Sequence, residues 1–168
     1  MKSILVTRMN RKDASAVAWR IVIADDHFLI REGLRSILEG EDNLQVVGEA
    51  KDGMELLFLL DQLHPDLVML DISMPNLQRI ETARLVKMRH PEMNILILTM
   101  HQEKEYVVAA ASAGVEGYLL KEDAQQDLLL AIEKIQHGKG FLSPILAKTL
   151  EESNKLLNGA LKFALDSL

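Results

Sequence analysis

The stretch Leu67-Val68-Met69-Leu70-Asp71-Ile72-Ser73-Met74-Pro75 restricts the fold more than any other. Four apolar residues run directly into an aspartate, and a proline closes the turn that follows. A short uninterrupted apolar run of this kind reads as a strand buried on both faces, as in a parallel sheet. Ligands bind in the crevice outside the carboxyl ends of such strands, so Asp71 stands where chemistry is done rather than in the core. Three more runs repeat the arrangement: Ile21-Val22-Ile23-Ala24 ends in Asp25-Asp26, Ile95-Leu96-Ile97-Leu98 in Thr99, and Gly117-Tyr118-Leu119-Leu120 in Lys121. As parallel strands they bring three acids, one hydroxyl and one ammonium to a single edge.

The rest of the chain supplies the scaffold. Strands are expected over 20–24, 44–50, 67–70, 94–98 and 117–120, each followed by a helix, near 27–39, 53–63, 77–89, 102–113 and 124–137. Phe28, Leu29, Leu34, Ile37 and Leu38 give the first helix one apolar face. Asp52 caps the second, and Glu55 three residues on completes a capping box. Pro65 and Pro91 bound two helices, and Gly40, Gly114 and Gly138 close the others. Five strand–helix repeats predict an α/β fold, a five-stranded parallel sheet wound with helices on both faces.

Composition excludes several classes. The chain has 168 residues and no cysteine, so disulfides and thiolate metal sites are ruled out. No apolar run approaches the roughly 20 residues that span a bilayer, and Ile4-Leu5-Val6 is too short for the core of a signal peptide. A cytoplasmic protein without membrane contact is expected. A net charge of −6 argues against a free-standing nucleic-acid binder. Residues 1–19 fall outside the alternation and read as a flexible N-terminal extension; an added strand or helix packed on the domain is the other reading.

The edge carries its own chemical logic. At an effective dielectric near 20, two carboxylates about 4 Å apart repel by about 4 kcal/mol. Asp25, Asp26 and Asp71 stay ionised together only with cations beside them. Lys121 is one; a hard divalent ion held by oxygens, which suits Mg²⁺, is the other. With charge balanced in this way, a carboxylate can attack phosphorus, and Asp71, alone at a central strand end, is the best nucleophile. Mg²⁺, Lys121 and the Thr99 hydroxyl would then stabilise the transferred oxygens on different sides. A haloacid-dehalogenase-type phosphatase needs a second acid two residues after the first, where Ser73 stands, and no Gly-Lys-Ser/Thr phosphate loop follows a strand.

Asp25-Asp26, Asp71 with Met74-Pro75, Thr99 and Lys121 resemble the receiver domain of two-component response regulators, in order and spacing, over about residues 20–140. Ala24-Asp25-Asp26-His27, Leu98-Thr99-Met100-His101, Gly117 to Lys121 and Phe141-Leu142-Ser143-Pro144 look like the NarL/FixJ branch, whose members usually carry a LuxR-type helix-turn-helix. The resemblance implies a CheY-like, flavodoxin-like fold with strand order 2-1-3-4-5. It implies that Asp71 accepts a phosphoryl group from a histidine kinase. Asp26, Asp71 and the Ser73 main-chain carbonyl would bind Mg²⁺, with Asp25 acting through water. Thr99 and Lys121 would hold the phosphoryl oxygens, and Tyr118 would swing inward as Thr99 moves. A homodimer is expected, through the elements around 102–137 or the helix at 27–39. DNA would be reached only through a helix-turn-helix domain that this chain does not contain. The alternative is a degenerate receiver that works as an interaction module without phosphorylation.

Two residues depart from the family pattern. Arg79 stands where glycine is usual, and is expected either to alter phosphoryl lifetime or partner approach, or to be an exposed arginine at a helix start. Met100 stands where a small residue is preferred and would narrow access to the site. His27, His64, His90, His101 and His137 read as surface or boundary residues, and the methionines as packing. Residues 141–168 read as a linker and helical tail from Ser143-Pro144. Leu146, Leu150, Leu157, Leu161, Ala164, Leu165 and Leu168 fall near one face, and Gly159 weakens the helix. That face either packs on its own domain or forms a dimer seam. The chain is accordingly expected to be a shortened form of a transcription regulator or a stand-alone receiver.

Overall fold

The computed structural model describes residues 17–76 and 78–153. Among the described residues there are six strands: β1 (Trp19–Ala24), β2 (Leu44–Ala50), β3 (Leu67–Leu70), β4 (Asn94–Thr99), β5 (Gly117–Leu120) and β6 (Phe141–Leu142). Helices α1 (Phe28–Glu39), α2 (Gly53–Leu63), α3 (Arg79–Arg89), α4 (Lys104–Ser112) and α5 (Ala124–Gln136) follow the first five strands in turn, and α6 (Pro144–Ser153) follows β6. The sheet order is β2-β1-β3-β4-β5-β6, and every pairing is parallel.

Chain direction across the sheet reverses at β1, which has β2 on one side and β3 on the other. Such a switch point opens a crevice at the carboxyl ends. Register sets what lies in it: Ala24 pairs with Leu70, so the next residue of each strand, Asp25 and Asp71, stand side by side.

Alternate strand residues divide into two cores, one on each face. Val22, Ala24, Val68, Leu70, Ile95, Ile97, Tyr118 and Leu120 pack with residues of α2, α3, α4 and α6. Ile21, Ile23, Met69, Leu96, Leu98 and Leu119 pack with residues of α1 and α5. Burial on both faces explains why the strands read as solid apolar runs. At Gly117 the packing is close enough to need glycine: a Cβ there would lie 2.6 Å from Leu96 Cδ1 and 3.2 Å from Ile135 Cδ1.

Asp52 caps α2 as expected, while the return bond of Glu55 goes one residue before the cap. Glu55 N–H donates to Asp52 Oδ1 (2.8 Å), and Lys51 N–H donates to Glu55 Oε2 (2.9 Å). Pro65 ends this helix with His64 in the left-handed region, at φ 44°.

The five expected strands form in the expected order 2-1-3-4-5, and β6 extends the sheet beyond β5. Two residues carry no periodicity, so only the partner reveals the strand. Phe141 N–H donates to the Glu116 carbonyl and Ser143 N–H to the Tyr118 carbonyl, both at 3.0 Å. Leu120 N–H donates to the buried Ser143 Oγ (2.9 Å), so this serine ties the tail to β5 as well as preceding α6. Leu146, Ala147 and Leu150 of α6 are buried in the core that contains Tyr118. The start of the leucine stripe thus packs on its own domain. Leu157, Gly159, Leu161, Ala164, Leu165 and Leu168 lie outside the described residues, as do residues 1–16 of the N-terminal extension.

If β6 is part of the folding unit, Phe141→Ala lowers the unfolding free energy by about 3–5 kcal/mol, the usual cost of emptying a buried aromatic position. Urea denaturation measures this. A loss under about 1 kcal/mol would mean that the segment is an appendage.

Candidate functional site

The two buried acids of the cluster are each oriented by main chain from their own turn. Asp25 is buried at the end of β1, and His27 N–H donates to its Oδ1 (2.8 Å). Asp71 is buried at the end of β3, and Ser73 N–H donates to its Oδ1 (2.8 Å). Asp26 is more open, with its side chain 34% exposed. Lys121 Nζ reaches into the pair, 2.7 Å from Asp25 Oδ2 and 3.1 Å from Asp71 Oδ2. The ammonium therefore sits between two buried carboxylates and offsets the repulsion that their proximity creates. Burial lowers the pKa of Lys121, but the close ionic contact with Asp25 and the charge of Asp71 outweigh it and hold the amine above its ordinary value.

Cation capacity remains after this pairing. Carboxylate oxygens of Asp25, Asp26 and Asp71 and a ring nitrogen of His27 all lie within 4.8 Å of one another. Asp25 Oδ2 is buried without an aligned hydrogen bond despite its ion pair with Lys121. A set dominated by carboxylates fits a hard divalent cation.

Thr99 and Tyr118 meet at the next turn. Thr99 is fully buried, and its Oγ1 accepts from His101 N–H (3.1 Å). Tyr118 is also fully buried, with its hydroxyl donating to the His101 carbonyl (3.0 Å). Burial, with the charge of Glu103 adding, pushes the phenol far above its ordinary pKa. Thus the structure brings Asp25, Asp26, Asp71 and Lys121 into one cluster and links Thr99 to Tyr118 through the main chain of His101. The Ser73 hydroxyl joins the two halves, 3.1 Å from His101 Nε2.

Three neighbours were not legible as site residues. His27, expected at a boundary, has a side chain 62% exposed, yet its Nδ1 lies 3.1 Å from both Asp25 Oδ1 and Asp26 Oδ1. Arg31 is buried and its Nη1 donates to the Asp25 carbonyl (2.7 Å), fixing the end of β1 from α1. Only its place one turn after His27 hinted at this contact. His101 is the hub just described. Met100, expected to narrow access, is 70% exposed.

A doubly wound parallel sheet with paired acids after β1, a lone aspartate after β3, a hydroxyl ending β4 and a lysine after β5 defines the receiver class of domain. The chain belongs to the response regulator receiver domain family, which matches residues 21–133. Its relatives place it among the LuxR/NarL/FixJ-type regulators. It is 34% identical over 140 residues to the transcriptional regulatory protein DegU of Brevibacillus brevis, an alignment covering 83% of this chain and 59% of that protein. The chain therefore spans about six tenths of the length of such relatives. Among solved structures it resembles a LuxR-family two-component response regulator from Aurantimonas sp. SI85-9A1, with TM-score 0.77, 35% identity, and coverage of 81% of this chain and 97% of that one. It also resembles the isolated REC domain of RcsB from Salmonella enterica serovar Typhimurium in the presence of the phosphomimetic BeF3−, with TM-score 0.76, 31% identity, and coverage of 79% and 99%. Among the described residues, no helix is long and apolar enough to cross a membrane.

The Lys121 geometry makes an alkaline prediction. A raised folded-state pKa contributes stability that is present below the ordinary value of 10.5 and lost as pH rises through the folded value. Lys121→Met is expected to be less stable than wild type by about 2 kcal/mol at pH ~8. The gap should close above pH ~10.5. Urea midpoints at pH ~8 and at a pH well beyond ~10.5 measure it, and a gap independent of pH would refute the charge role.

Proposed function

We propose that Asp71 is the phosphoacceptor of this receiver and that its phosphorylation switches an output surface. The observation that carries this reading is a buried Asp71 with Lys121 Nζ 3.1 Å from one oxygen and Ser73 N–H bonded to the other. The lysine neutralises charge while the backbone donor fixes the carboxylate plane, so the nucleophile is oriented before its substrate arrives.

In the transfer, an Asp71 carboxylate oxygen attacks the phosphorus of a kinase phosphohistidine. The P–N bond breaks, and its electron pair leaves with the imidazole. Asp26, Asp71 and the Ser73 carbonyl, with Asp25 through water, would hold a Mg²⁺ ion, which would supply neutralisation of the phosphoryl oxygens. Lys121 moves its ammonium from the bare carboxylates to a phosphoryl oxygen, and the Thr99 hydroxyl donates to another. The same residues assist hydrolysis of the acyl phosphate, so the domain promotes its own transfer and decay without being a conventional enzyme.

Thr99 and Tyr118 form the switch, since a charge change at Asp71 biases how they sit against the turn of His101. The partners are a sensor histidine kinase and a second copy of the chain. Transcriptional control runs through a helix-turn-helix domain beyond residues 20–140 and the tail that follows. Support comes from the transcriptional regulatory role in DegU's name and from the phosphomimetic used with RcsB.

Intact mass after incubation with Mg²⁺ and acetyl phosphate tests the reading. Wild type is expected to gain one phosphoryl group, and Asp71→Asn or added EDTA to abolish the gain. Light scattering of the labelled protein should show dimerisation. A folded wild type without a mass gain would favour the interaction-only module.

A further inference from the structure

Arg79 begins α3 with φ at 35°, the left-handed region that favours glycine and the place where the family usually has it. An arginine held there needs a compensating contact. Its guanidinium carbon lies 4.6 Å from the centroid of the Tyr106 ring, within cation–π range. Tyr106 belongs to α4, and its ring is 5.0 Å from that of His101, whose Nε2 is 3.1 Å from Ser73 Oγ. These side chains wall a groove of about 580 Å³ that also includes Met74 and Glu105. A chain of contacts thus runs from the turn after Asp71, across the groove, to α4 and back to the turn after Thr99.

We propose that Arg79 is a positioning residue. Through Tyr106 it ties the β3–α3 loop to α4, so that loop and helix respond together to the charge at Asp71. This rests on the reading of Asp71 as phosphoacceptor. With glycine at 79 the loop holds its turn without help, and α4 is reached through His101 alone, from Ser73 on one side and from Thr99 and Tyr118 on the other. With arginine the turn persists because its side chain is stacked on α4, so displacing the loop pulls on the helix directly. A sub-ångström shift in one then acts on a packed element rather than on solvent.

Hydrogen exchange on the full chain, read by mass spectrometry with and without Mg²⁺ and acetyl phosphate, tests the tie. Wild type is expected to change protection in both 72–79 and 104–112 on phosphorylation. Arg79→Gly keeps the loop response but loses about threefold or more of the 104–112 response, and Tyr106→Leu does the same. The double variant matches Tyr106→Leu, because without the ring there is no Arg79–Tyr106 contact left to remove. An undiminished 104–112 response in Arg79→Gly, or a loss there that Tyr106→Leu does not share, overturns the proposal. If wild type shows no response in either segment, the phosphoacceptor reading fails, and the tie is judged without added reagents. Faster resting exchange of both segments in Arg79→Ala and Tyr106→Leu then supports it, and unchanged exchange overturns it.

Discussion

Two aspartates buried side by side repel each other, and the Lys121 ammonium offsets this by sitting between them. Much of the domain exists to keep that ion in place. β5 must end at Leu120 to deliver Lys121, and β1 and β3 must be adjacent and in register to bring Asp25 beside Asp71. The charges are inside the protein but at the mouth of a crevice, so the arrangement is unfinished electrostatically. A site that already holds one cation between two anions, with an exposed third carboxylate on Asp26, is suited to admit a metal and a phosphoryl group.

This constraint explains how much was legible. Asp25, Asp71, Thr99 and Lys121 announced themselves because each ends an apolar run, and a parallel sheet sends all such ends to one edge. The central strands were readable for the same reason: burial on both faces leaves the runs 21–24, 67–70, 95–98 and 117–120 without a charged residue, whereas edge strand β2 carries Gln45 and Glu49. What escaped were contacts made across the fold. β6 is two residues long and acquires its identity from hydrogen bonds to β5. Arg31 lies in an amphipathic helix whose apolar pattern says nothing of an arginine, yet its guanidinium is buried against the Asp25 carbonyl. His101 was one of several scattered histidines, and its role lies largely in its main-chain N–H and carbonyl, which no side-chain pattern encodes.

Arg79 shows how a departure from a pattern can be accommodated. A left-handed conformation costs a residue with a Cβ about 1–2 kcal/mol. A cation–π contact returns about 0.5–2 kcal/mol, depending on exposure. The two are comparable, so Arg79 is neither a free surface residue nor a strongly strained one. Its conformation persists because Tyr106 is where it is, which makes the turn after the acidic site dependent on a residue of another helix.

The tail obeys the same logic on the other side of the sheet edge. β5 carries both Tyr118 and Lys121, and β6 pairs with it through Tyr118 and Gly117. Ser143 accepts from Leu120 N–H and, through its own N–H, donates to the Tyr118 carbonyl, so the strand end that positions the lysine is bracketed by one buried serine. The carbonyl of that serine also accepts from Leu146 and Ala147 N–H, opening α6. Lys121 is therefore coupled by main-chain bonds to the first turn of the tail helix. A displacement of the β5 terminus large enough to move the ammonium must either stretch those bonds or carry α6 with it. Close packing of Leu146, Ala147 and Leu150 in the Tyr118 core favours movement as a unit, because separating them would open a cavity.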